Sequence, residues 1–195
     1  MLATHNAHKV GELRAILAPV LPELVGEDVV GARDVGAPEP VEDGVTFEAN
    51  ALIKARAAFE YSGIPSIADD SGISVDALGG APGIYSARYA GTRNDGDNLR
   101  LLLERMTDID DRTASFTCAA AYVAEGVEHV ELGVWPGTVL REAHGDHGFG
   151  YDPIFQPAGL TVSSAELSAD EKNRISHRAM AFAKLLDYVV ATQLG

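Results

Sequence analysis

The chain has 195 residues, 46% hydrophobic and 23% charged, which suits one globular domain with an adequate core and disfavours both disorder and membrane insertion. A formal charge of −14 excludes a general nucleic-acid binder, whose affinity would rest on a basic surface. No basic N-terminal region precedes a hydrophobic segment, and the lone Cys118 permits no internal disulfide, so a cytoplasmic enzyme or binding protein is expected.

In chain order, Met1-Leu2-Ala3 makes a strand stub, followed by the polar loop Thr4 to Lys9 and a helix with Val10, Leu13, Ile16 and Leu17 on one face. Asn6 is placed to cap that helix. Strand, polar loop and helix N-terminus form an anion site where free N–H groups, capping side chains and Lys9 converge. An ordinary capped helix with a solvated lysine accounts for the segment at least as well. A P-loop is excluded, because its glycines and Lys-Ser/Thr ending are missing. The chain holds only four lysines, and three of them, Lys9, Lys54 and Lys172, fall in stretches that stand out on other grounds.

Leu24 to Val35 is loosely strand-like, and Ala37 to Gly44 is a turn-rich acidic loop carrying Glu39, Glu42 and Asp43. Thr46 caps a helix running to about Glu60, with Phe47, Ala51, Ala55 and Ala58 as its buried stripe. Asn50 and Lys54, four apart, share a face. Ile64 to Ala68 reads as a short strand, so Asp69 and Asp70 are expected at its C-terminal end, where open α/β sheets place chemistry. Adjacent side chains on a strand point to opposite faces, which favours divided labour over a proton-sharing dyad. One carboxylate would hold a hard cation and the other would activate water. A plain Asp-Asp-Ser-Gly turn is the competing reading.

Asp97 to Met106 reads as an amphipathic helix, and Ala114 to Ala124 with Val127 to Val134 as a hairpin about Glu125-Gly126, with a third strand after Trp135-Pro136-Gly137 through Leu140. His144 and His147, in a glycine-rich loop, are a weak metal spacing without further ligands. Gly148-Phe149-Gly150-Tyr151-Asp152-Pro153 is a loop able to bring backbone and ring faces against a planar ligand, or else a hydrophobic corner. Ser168 to Glu171 matches a capping box opening a short helix that carries Lys172. Ser176-His177-Arg178 leads into a last helix with Phe182, Leu185, Leu186, Val189 and Val190 in register. Cations at a helix start oppose its dipole, which points to a ligand that rewards them.

Together these stretches resemble the inosine triphosphate pyrophosphatase family over essentially the whole chain. The resemblance rests on Thr4-x-Asn6-x-x-Lys9, Glu42 before Gly44, Phe47 with Asn50-Ala51-x-x-Lys54-Ala55, Ala68-Asp69-Asp70-Ser71-Gly72 with Gly79 to Gly91, Phe149 to Pro153, Lys172 and Ser176-His177-Arg178. It implies a single two-lobed α/β domain over residues 1–195, a long mixed β-sheet with flanking helices, an active-site cleft between the lobes, a homodimer and dependence on Mg²⁺. It further implies hydrolysis of noncanonical purine nucleoside triphosphates such as ITP, dITP and XTP. Carried onto matching positions, it makes Glu42 and Asp70 metal-binding, helped by Asp69, makes Asp70 the base for water, and sets Ser71 on the substrate. Thr4, Asn6 and Lys9 would hold phosphates, with Lys9 and Lys54 meeting charge on the leaving group. Phe149, Gly150, Tyr151 and Asp152 would frame the base, and Lys172, His177 and Arg178 would complete the nucleotide site. The chain departs from the family pattern at His5 and Ala179, where glycine is usual, and at Ala49, where glutamate is common. A nucleotide sensor without catalysis, and a pyrophosphatase for other modified nucleotides, are the other readings.

Overall fold

The computed structural model describes residues 1–4, 11, 13, 15–16, 31–32 and 35–193. The readings on His5, Asn6, Lys9, Val10, Leu17 and most of the 24–35 stretch lie outside the described residues. Leu2 makes parallel bridges to both Gly31 and Ile67, so the expected strand stub is present. Gly11, Leu13, Ala15 and Ile16 are helical.

The first fully described helix, α1 (Phe47–Ser62), starts where Thr46 accepts a hydrogen bond from the Ala49 N–H and stops where Gly63 takes a left-handed φ of 68°. Then come β1 (Ser66–Val75), α2 (Asp95–Arg105), β2 (Thr113–Ala124), β3 (Val127–Val139), β4 (Phe155–Pro157), α3 (Ala169–Ile175) and α4 (His177–Gln193). The four strands form one sheet in the order β1-β2-β3-β4, and β4 runs antiparallel to β3 with Thr138 opposite Gln156. With the parallel bridges of Leu2, the pairing is mixed.

Two expectations are corrected. The short strand ending at Ala68 is a ten-residue strand, so Asp69, Asp70, Ser71 and Gly72 lie within β1 rather than beyond its end or in a turn. Gly72 lets neighbouring backbone pack closely on the strand, since a Cβ there would collide with the Ser86 side chain and the Gly83 carbonyl. Likewise Trp135-Pro136-Gly137 does not divide two strands but lies inside β3. Pro136 gives no N–H to the ladder, yet its carbonyl accepts from Ala158, and Gly137 leaves room for the Phe155 ring.

The chain forms two compact units, one from residues 1–70, 118–133 and 178–195, the other from residues 71–117 and 134–177. In the first, β2 is buried on both faces and its side chains alternate. Cys118, Ala120 and Tyr122 join Phe182, Leu185, Leu186 and Val189 of α4 on one side. Ala119, Ala121 and Val123 join Ala51, Ala55 and Ala58 of α1 on the other. The period of two in a strand thus serves two helices at once, which explains the continuous apolar run. The small α1 stripe lets that helix lie close to the sheet, and a larger residue at Ala55 would cost about 1–3 kcal/mol by overpacking. In the second unit, Ile73, Val75, Leu102, Met106, Phe116, Trp135, Ile154 and Phe155 form the core. Among the described residues, no helix is long and apolar enough to cross a membrane.

Candidate active site

The alternation that sorts β2 also separates the paired aspartates of β1. Asp70 shares the α1 face with Ala68, and Asp69 turns toward α4. Asp70 is 8% exposed, and its two oxygens have different partners. Oδ1 accepts from Lys54 Nζ at 2.8 Å, and Oδ2 from Asn50 Nδ2 at 3.3 Å. The same Lys54 ammonium donates to Glu42 Oε2 at 3.1 Å, so it lies between two carboxylates. Burial alone would lower the Lys54 pKa, but Asp70, Asp69 and Glu42 together outweigh it and leave the pKa raised.

Asn50 has a second duty that the sequence did not disclose. Its Oδ1 accepts from the Gly44 N–H at 2.9 Å, so one buried amide ties the Glu42 loop to Asp70. The helical spacing of Asn50 and Lys54 signalled a shared face, while their common target was visible only once β1 was placed. Glu42 and Asp70 offer hard oxygen donors converging on one positive charge, a donor set that suits a divalent cation preferring oxygen. Among the described residues, no cluster of three or more His, Cys, Asp or Glu side chains is arranged to hold a metal.

Asp69, 2% exposed, serves another partner. Nε and Nη2 of Arg178 each lie 3.4 Å from its Oδ2, and the Cys118 sulfur lies 4.0 Å from the same oxygen. Arg178 is itself 2% exposed. A cation near the start of α4 therefore meets a carboxylate of the protein, which offsets the unfavourable helix dipole. Asp69 thus contacts Arg178, and its charge also acts on Lys54 beside those of Asp70 and Glu42.

In the second unit, Lys172 donates to Asp152 Oδ2 at 2.5 Å, and both are buried. Asp152 also accepts from the Phe149 N–H at 2.9 Å and from Ser164 Oγ at 2.8 Å. The Lys172 ammonium lies 5.1 Å from the centre of the half-buried Phe149 ring. The loop needs Gly148 at a φ of 76°, where a Cβ would strike the Asp152 carboxylate. The capping box holds α3, and hence Lys172, with Ser168 and Glu171 reciprocally bonded. Gly150 N–H donates to Asp95 Oδ2 at 2.9 Å, a contact with no signal in the local sequence.

Tyr151 is placed differently from its loop neighbours. It is 4% exposed and its hydroxyl donates to the Ser86 carbonyl at 2.9 Å, while burial first, then Tyr89 and Asp95, raise its pKa. Its ring belongs to the core of this unit. His177 stacks on Phe116 with centroids 4.8 Å apart and planes 10° from parallel. Thr4 and Ser71 are half-buried. His147 meets the Leu167 carbonyl and His144 meets Glu142, so the two imidazoles have separate partners.

A sequence model of the Ham1 family matches residues 1–188. A protein of Leifsonia xyli named dITP/XTP pyrophosphatase is 54% identical, over 95% of this chain and 92% of its own length. A protein of the same name from Pseudomonas aeruginosa is 49% identical, over 95% and 93%. The structure of the Staphylococcus aureus Ham1 protein superposes with a TM-score of 0.87 at 35% identity, covering 98% of each chain. These matches bear out the resemblance read from the motifs, and the chain belongs to the Ham1 family.

Proposed function

We propose that the protein hydrolyses the noncanonical purine nucleoside triphosphates ITP, dITP and XTP to the monophosphate and pyrophosphate, with water attacking the α-phosphorus. The observation that carries this reading is the convergence of Glu42 and Asp70 on one cation. The names of whole-length relatives give it its substrate class. Glu42 and Asp70 would hold Mg²⁺, which when bound neutralises phosphate charge and makes water a stronger nucleophile. Asp70 takes the proton of the attacking water while Asn50 keeps its other oxygen oriented. Lys54 and Lys9 meet the charge that passes to the departing pyrophosphate, with Thr4, Asn6 and Ser71 as further phosphate contacts. Cytoplasmic action as a homodimer is part of the proposal, and light scattering tests the dimer.

Selectivity is assigned to donors that meet a purine 6-oxo group. Arg178, with His177, donates to that oxygen, Phe149 and Gly150 frame the planar base, and Lys172 stays oriented by Asp152. Adenine presents an amino donor there. Each donor left unpaired costs about 1–3 kcal/mol, so two can supply about a hundredfold or more. The test is initial rates with Mg²⁺ on ITP, XTP, GTP and ATP side by side. Rates on ITP and XTP at least about a hundredfold above ATP support the reading. Equal rates on all four would remove the 6-oxo selection, and tight nucleotide binding with no hydrolysis would make the protein a sensor.

The close approach of Gly44 to Asn50 yields a further expectation. A Cβ on Gly44 would sit 2.6 Å from Asn50 Oδ1 and 2.8 Å from the Ala49 Cβ, so the loop must shift and carry Glu42 with it. Gly44→Ala is expected to lower kcat/KM on ITP about ten- to a hundredfold, the range for a misplacement of about 1 Å. Steady-state kinetics beside a thermal melt separates this from unfolding.

A further inference from the structure

We propose that Lys54 is a built-in counter-cation which a divalent metal must displace, so that metal and polyphosphate bind cooperatively. The inference rests on the reading of Glu42 and Asp70 as the metal pair. Lys54 Nζ lies 2.8 Å from Asp70 Oδ1 and 3.1 Å from Glu42 Oε2, with the three side chains 11%, 12% and 23% exposed. Two carboxylates aimed into one partly buried gap repel each other unless a positive charge stands between them, and here the chain supplies it. A metal bound to both would hold their oxygens at about 2.0–2.1 Å and fill the gap the ammonium occupies. Metal and ammonium cannot share it.

The side chain suits such an exchange. A lysine carries a compact charge on a flexible four-carbon stem, so its ammonium can leave the gap while α1 stays fixed. Asn50 holds Asp70 Oδ2 independently and ties Gly44 to the same carboxylate, so the oxygens keep their orientation when Lys54 withdraws. The displaced ammonium gains most from a new anion, and the polyphosphate brings one. Metal alone pays the full cost of expelling the ammonium, whereas metal with polyphosphate gives it a new partner, and linkage makes the coupling reciprocal.

The test uses Mn²⁺, counted by electron paramagnetic resonance, on the full chain with and without α,β-methylene ITP. Without nucleotide, Lys54→Met and Lys54→Gln are both expected to bind Mn²⁺ about tenfold or more tightly than the unaltered protein, and the gain in Mn²⁺ affinity on adding the analogue should shrink in both. Unchanged or weaker Mn²⁺ binding in the two folded variants would overturn the inference. Glu42→Gln and Asp70→Asn, measured with the analogue present, examine the underlying reading. If they bind Mn²⁺ as well as the unaltered protein, the metal pair is wrong. If they lose Mn²⁺ while the Lys54 variants match the unaltered protein, only the displacement is wrong.

Discussion

Replacing Asp70 by Asn is expected to lower kcat on ITP by about a thousandfold or more, with nucleotide binding still measurable. The substitution keeps the shape of the side chain and its place on β1, but leaves one oxygen for the two donors Lys54 and Asn50, so a thermal melt accompanies the kinetics. What it removes is the charge that faces Lys54 at 2.8 Å, one of two carboxylates proposed for the metal, and the proposed acceptor for the proton of water. No second carboxylate stands in, because Asp69 points toward α4 and Glu42 is the other half of the pair. Single-turnover kinetics with a separate binding isotherm checks this. A normal rate would end the assignment of Asp70.

The largest effect on stability is expected at Asp69. Its side chain is fully buried against Arg178, whose side chain is 2% exposed, and removing the carboxylate takes the negative partner from a buried positive charge. Asp69→Ala should therefore destabilise the fold by about 3–5 kcal/mol, read from urea unfolding, with the double variant Asp69→Ala/Arg178→Met recovering part of that loss. Asp69→Asn keeps the side-chain shape and gives a sharper distinction. It should weaken discrimination between ITP and ATP, since Arg178 loses its anchor, while the Mg²⁺ concentration giving half-maximal rate stays where it was. A shifted Mg²⁺ dependence with unchanged selectivity would instead return Asp69 to the metal.

Much of this arrangement was legible in the residues. Thr46, the alanine stripe of α1 and the Ser168 capping box are local signals, and each specifies an element through bonds made within a few residues. The opposite facing of Asp69 and Asp70 followed from strand geometry alone. The strand itself escapes a local reading because Asp-Asp-Ser-Gly has turn composition, while its pairing with β2, distant in sequence, keeps it extended. Pro136 has the same effect, since the residue gives up only its own N–H and its carbonyl still accepts from Ala158. The link from Gly44 through Asn50 to Asp70 spans distant segments, and nothing local announces it. Tyr151 reads like its loop neighbours, yet a carbonyl far away in sequence draws its hydroxyl into the core.

The mechanism depends on where water attacks, and hydrolysis of ITP in ¹⁸O-labelled water answers that directly. Products are separated and each is weighed by mass spectrometry. IMP and pyrophosphate are expected as the only products, with the label carried by the phosphate of IMP and none in pyrophosphate. Label in pyrophosphate would move the attack to the β-phosphorus, and IDP with labelled orthophosphate would move it to the γ-phosphorus; either result contradicts the mechanism built on Glu42, Lys54 and Asp70.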